Sequence, residues 1–204
     1  GRDAPKRVIA FGSTSVFTKG DSGIEKERLL VEGLSSAEEW IRQFATANEV
    51  NWTILRPTLV YHLGRDKNVT TIATFLQRFG FFPIVDGAKG KRQPVHAEDL
   101  ATAALNVIEN PKTFGKAYNL SGGETLAYRE MVSRVADYLG MRPKMLHIPL
   151  SVLQMVIRVV SCVPRYRYLN IEMARRIGRD NCFDHASARE DFGYSPRLFF
   201  KGGV

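Results

Sequence analysis

Three hydroxyl side chains, Ser13, Thr14 and Ser15, follow directly on an apolar run, RVIAFG (7–12), that reads as a buried strand. In an open parallel sheet, ligands bind at the carboxyl ends of the strands. Hydroxyls placed there can hydrogen-bond a substrate oxygen, or they can satisfy loop backbone groups. A second run, NWTILRP (51–57), reads as a strand that ends on the same sheet edge with Arg56, Pro57 and Thr58, and Tyr61 follows shortly after. Basic residues cluster at KGKR (89–92), RYR (165–167) and RRIGR (175–179), and such clusters attract phosphorylated metabolites or other polyanions. Arg179 is a candidate phosphate contact on that ground. Tyr118, in AYNLSGG, reads as a core residue. No spacing of His, Cys, Asp and Glu predicts a metal site, and Cys162 and Cys182 read as two reduced thiols.

The elements that must position these groups alternate between strand and helix. Helical spacing of Leu29, Leu30, Leu34, Ala37, Trp40, Ile41 and Phe44 predicts a long helix from Glu25 to Asn48. Strand, helix, strand is a βαβ unit, so the flanking strands are expected to be parallel neighbours with a right-handed crossover. Further on, 68–80 reads as a helix and FFPIVDG (81–87) as a short strand. Pro94 keeps its predecessor extended before a helix that runs to Glu109. KAYNLSGG (116–123) is a strand, Thr125 to Leu139 a helix with Gly140 as its stop, and KMLHIPL (144–150) is extended. SVLQMVIRVVSCV (151–163) is a helix with a broad apolar face and one basic residue, a pattern that favours the core over a membrane surface.

The chain has 204 residues, 44% apolar and 25% charged, an ordinary globular composition. Its net charge of +8 is spread along the sequence. The basic clusters lack the aromatic alternation of an RNA-binding sheet face, so no nucleic-acid partner is expected. No run is long and apolar enough to span a bilayer, and GRDAPKR at the N-terminus lacks the apolar stretch of a signal peptide. The expected setting is the cytoplasm.

Six motifs occur in a telling order: RVIAFGSTSVF, AEEW, TILRPTLVY, RQPVHAEDLATAALNVIEN, AYNLSGGETLAYREM and DFGYSPR. In this order and spacing the chain resembles the NAD(P)-dependent epimerase/dehydratase family, the extended or atypical branch of the short-chain dehydrogenase/reductases. The resemblance implies an α/β fold: the C-terminal part of a Rossmann-type doubly wound parallel sheet with a small substrate-binding subdomain. It divides the chain into the C-terminal half of the Rossmann-like domain (1–62), a substrate-side segment and helix (63–115), the last sheet strand and helix (116–143), and the substrate-binding subdomain with the tail (144–204). Members of the family open with a GxxGxxG loop that holds the cofactor pyrophosphate at a helix N-terminus. This sequence has no such loop, and the expectation is a truncated portion that lacks the N-terminal mononucleotide-binding half.

The resemblance also assigns roles. NAD or NADP is the implied cofactor, set against Gly12, Ser13, Thr14, Pro57 and Thr58, and Ser13 aligns with the catalytic Ser/Thr. Arg92 opens the family's R-x-x-x-H-V-x-D motif, whose Arg pairs with a sugar-nucleotide diphosphate, a task suited to a guanidinium fork. The small-molecule substrate is then a nucleotide-linked sugar, held by Tyr61, Arg92 and Arg179. His96 and Asp99 of the same motif read as structural, at a helix start. Aligning AEEW (37–40) places the family's catalytic Tyr and Lys at Leu30 and Leu34. The spacing of four survives, but leucine transfers no proton. Two readings follow: an atypical NAD(P)-dependent enzyme of the epimerase/dehydratase kind, or a non-catalytic dinucleotide-binding scaffold of the same fold. A homodimer through the helix at 25–48 is implied as well.

Overall fold

The computed structural model describes residues 5–85, 89–160 and 178–200. Cys162, RYR (165–167) and most of RRIGR (175–179) lie outside the described residues, as do the ends of the strand expected at 81–87 and of the helix expected at 151–163. The chain forms two compact units that interleave in sequence: 1–60 with 94–123 and 183–197, and 61–93 with 124–182 and 198–204.

The first unit is built on a three-stranded parallel sheet of β1 (Arg7–Phe11), β2 (Asn51–Pro57) and β4 (Lys116–Leu120), with β2 in the centre. Ala10 lies opposite Ile54 and Leu55 opposite Tyr118. β2 is buried at Thr53, Ile54 and Leu55 because it has neighbours on both edges and cover on both faces. β1 is paired on one edge only among the described residues. Its expected burial is therefore incomplete, and Phe11 is 52% exposed.

α1 (Glu25–Ala47) joins β1 to β2. Glu25 and Glu27 in its first turn complement the helix dipole. It buries Val31, Glu38 and Ala45, a narrow seam spaced by seven, and leaves Leu29, Leu30 and Trp40 exposed. α3 (Ala97–Val107) is capped by His96, whose Nδ1 accepts from the Glu98 amide at 3.3 Å. Asp99 accepts from Arg197 Nε at 2.8 Å. Tyr118 is buried and donates to Asp191 Oδ2 at 2.6 Å. His96, Asp99 and Tyr118 thus take the structural places expected of them.

α6 (Ala186–Phe192) is preceded by His185. Its Nδ1 lies 2.5 Å from the buried Ser121 Oγ, and its Nε2 lies 3.2 Å from Arg189 Nη2. Burial, then the Arg189 charge, hold this imidazole below its ordinary pKa. As pH falls below the ordinary imidazole value of about 6.5, protons bind the unfolded chain before the folded one. Stability present above that pH is therefore lost as pH drops toward the lowered folded value. Denaturant unfolding at neutral and mildly acid pH should show this loss, and His185→Gln should flatten it.

In the second unit, α2 (Val69–Phe79) begins where Asp66 Oδ1 accepts from the Asn68 and Val69 amides at 2.7 and 2.6 Å, and it stops at Gly80, whose φ of 68° suits glycine. β3 (Phe81–Val85) runs parallel to β5 (Lys144–Ile148), with Phe81 opposite Lys144. α4 (Tyr128–Tyr138) starts three residues later than its helical pattern predicts, because Leu126–Ala127 pairs antiparallel with Lys91–Arg92. Ile72, Leu76, Ile84, Met131, Val132 and Val135 form the buried interior of this unit.

One expectation is corrected here. α5 (Leu150–Val160) presents Val152, Met155 and Val156 to solvent, so these apolar residues are not core. The positive charge, spread along the sequence, divides unevenly between the two units. The second unit carries 17 Lys and Arg against 7 Asp and Glu, a net of +10, while the first carries 12 against 14, a net of −2. No described helix is long and apolar enough to cross a membrane.

Candidate functional site

At the carboxyl end of β1 the Gly12 amide continues the ladder, donating to Leu55 O at 2.8 Å. Ser13 caps a 3-10 turn over Thr14–Phe17, its Oγ accepting from the Ser15 amide at 3.1 Å. Thr14 is buried, and its Oγ1 donates to Pro57 O at 3.1 Å, tying this turn to the end of β2. The Thr58 amide donates to Leu120 O at 3.1 Å. The fold itself therefore uses the Gly12 and Thr58 amides and the Thr14 hydroxyl. Ser13 differs: it is half-buried, and its hydroxyl proton has no acceptor among the described residues.

Beneath this turn lies a carboxylate that sequence reasoning did not single out. Glu38 is 5% exposed and takes Arg56 Nε at 2.9 and 3.1 Å on its two oxygens, with Arg56 Nη2 on Oε2 as well. Arg42 adds a contact at 3.3 Å, and the Arg56 guanidinium lies 5.1 Å from the centre of the Phe17 ring. A Cβ at Gly12 would sit 2.6 Å from Glu38 Oε1, so glycine is what admits the carboxylate. Two signals were available in the sequence: an acid inside an otherwise mixed helix face, and an arginine at the end of a buried strand.

The Glu38–Arg56 pair fixes the rotation of α1 about its axis. At 3.6 residues per turn, Leu34 lies about 40° and Leu30 about 80° around the helix from Glu38. Leu34 is half-buried, and Leu30 is 52% exposed. Neither side chain can give or take a proton.

In the second unit, residues 87 positions apart are brought together. Arg92 Nη1 donates to Arg179 O at 2.6 Å and to Lys91 O at 2.8 Å. The Lys91 amide donates to Asp180 Oδ1 at 2.8 Å, the Asn181 amide donates to Lys91 O at 2.9 Å, and Arg92 and Asn181 form a parallel bridge. Asn181 Oδ1 is buried with no partner among the described residues. Burial pushes the Tyr128 hydroxyl up to about 12, against the pull of the nearby Arg92 charge. Tyr61 is buried, with its ring edge-on to Phe199 at 4.8 Å and Phe200 at 5.4 Å. No group of His, Cys, Asp and Glu among the described residues is arranged to hold a metal ion.

Residues 2–121 match the model of a family described as the NAD dependent epimerase/dehydratase family. A curated relative from Dictyostelium discoideum, "NADH dehydrogenase [ubiquinone] 1 alpha subcomplex subunit 9, mitochondrial", is 32% identical over 101 residues, 50% of this chain and 28% of that protein. Among solved structures, RMD from Pseudomonas aeruginosa complexed with NADPH superposes with a TM-score of 0.67 at 15% identity, over 98% of this chain and 64% of that one. UDP-glucose 4-epimerase from Thermotoga maritima with UDP-glucose gives a TM-score of 0.68 at 17% identity, over 95% and 59%. At such identities the two structures establish the fold, a Rossmann-type α/β architecture. The chain spans 28% to 53% of the lengths of the curated relatives it matches.

Proposed function

The chain belongs to the NAD dependent epimerase/dehydratase family, and from that premise we propose an atypical NAD(P)-binding protein that acts on a nucleotide-linked sugar, with Leu30 and Leu34 at the positions of the family's Tyr and Lys. The observation that carries this reading is the buried Glu38–Arg56 pair. It fixes the rotation of α1, and the resemblance of AEEW (37–40) to the family pattern is what aligns Leu30 and Leu34 with the Tyr and Lys.

The residues at the β1 and β2 ends fit the binding of NAD(P) but not its acid–base partner. Ser13 has a proton to give to a ligand oxygen, and Gly12, Thr14, Pro57 and Thr58 shape the adjoining surface. When bound, the dinucleotide supplies hydride acceptance and return. The open edge of β1 is where a further parallel strand would join the sheet, and so where a glycine-rich, pyrophosphate-binding half would attach. Leu30 and Leu34 hold no proton. The same leucines support a second reading, a non-catalytic dinucleotide-binding protein. The exposed Leu29 and Trp40 of α1 support self-association through that helix.

In the second unit, Arg92 is the proposed diphosphate ligand. The carbonyls of Lys91 and Arg179 hold its guanidinium in place, and the net charge of +10 draws an anion. Support also comes from the Thermotoga neighbour, whose structure contains UDP-glucose. The test is calorimetric titration of a nucleoside diphosphate sugar into the full-length protein. Arg92→Ala should weaken binding by roughly 10- to 100-fold, the loss of a charge-assisted hydrogen bond. Equal affinity in both proteins would remove Arg92 from the site.

A further inference from the structure

We propose that α5 is an interfacial helix that docks the basic second unit on an anionic lipid surface, with Val152, Met155 and Val156 entering the headgroup boundary. These three residues sit at i, i+3 and i+4, hence on one face, and each is exposed; Met155 reaches 70%. Leu146, on the strand just before the helix, is exposed as well. Leu153 and Gln154, toward the opposite face, are half-buried. With 11 residues the helix is too short to span a bilayer, but long enough to lie in its surface.

Charge selects the occupant. α5 contains no acidic residue, and Arg158 is its only charged one. Arg129, Arg142, Lys144 and Arg158, all exposed, belong to the same unit, whose net charge is +10. An anionic lipid surface satisfies both features at once, giving apolar side chains a hydrocarbon boundary and the cations a negative potential. A nucleic acid would use the charge and leave the apolar face in water. A second copy docking through this face would set two strongly positive units against each other.

The experiment is vesicle co-sedimentation of the full-length protein, using phosphatidylcholine vesicles with and without phosphatidylglycerol. Binding is expected to the anionic vesicles, to weaken with salt, and to fall by about 10-fold or more in the double variant Val152→Glu, Met155→Glu. Leu105, 68% exposed on α3 of the unit with a net charge of −2, supplies the control, and Leu105→Glu should bind as the wild type does. Both sets of positions are solvent-exposed, so unchanged thermal unfolding verifies that the variants fold. Four results would overturn the proposal: no binding to anionic vesicles, equal binding by the double variant, equal loss in the Leu105 control, or a shift in sedimentation velocity showing that the double variant has dissociated a dimer.

Discussion

Glu38→Ala is expected to cost about 3–5 kcal/mol of folding stability, because it strands the Arg56 guanidinium in a buried site. The side chains of the pair are 14% and 7% exposed, so water cannot take over the lost contacts. Three of the interactions on this carboxylate come from Arg56 and one from Arg42, and the Phe17 ring covers the guanidinium from another side. Glu38→Gln keeps the shape and an acceptor and should lose less. Replacing both partners together, Glu38→Met with Arg56→Met, should recover much of the loss, since a buried pair exchanged for apolar groups is often neutral. Urea unfolding of the four proteins checks this. A loss in Glu38→Ala no larger than that of a surface substitution would mean the pair does not hold α1 in register.

The second large effect concerns turnover. With NAD(P) and a nucleotide-linked sugar, the double variant Leu30→Tyr, Leu34→Lys of the full-length protein is expected to turn over roughly 10²–10⁴ times faster than the wild type, the usual contribution of a positioned general acid or base. The positions can accept the new side chains. Leu30 is more than half exposed and Leu34 half-buried, so neither change fills a packed core. One helical turn separates them, which lets an ammonium at 34 sit beside a phenol at 30 and favour its ionised form. Steady-state rates for the two proteins decide it. A wild-type rate that the double variant does not raise would mean that some other group moves the proton.

How much of this could be read in the sequence depends on where each element finds its partners. β2 and α2 were legible because their own residues specify them: a near-continuous apolar strand, and an amphipathic stretch closed by Gly80. The start of α4 was not, because Leu126 and Ala127 are drawn into a ladder by Lys91 and Arg92, far away in the chain. The apolar face of α5 was visible as a pattern. A pattern shows that a face exists without showing what covers it, and here Met155 faces solvent. The charge is spread along the sequence because the two units take turns along the chain, and only the fold shows that the excess of Lys and Arg over Asp and Glu falls in one of them. Among the candidate site residues, Ser13, Arg92 and Arg179 stood out by residue type and motif. Glu38 did not, because its meaning lies in two residues of other elements, Gly12 and Arg56.

We propose that the protein binds NAD(P) and a nucleotide-linked sugar, with leucine at the positions of the family's Tyr and Lys. The most direct measurement is nicotinamide absorbance in a single turnover, with the full-length wild-type protein in excess over a nucleoside diphosphate sugar already shown to bind it. The sugar is expected to bind, and reduced nicotinamide is expected not to form on the timescale on which Leu30→Tyr, Leu34→Lys forms it. Reduced nicotinamide appearing as fast in the wild type as in the double variant would mean that the leucines do not remove the acid–base step.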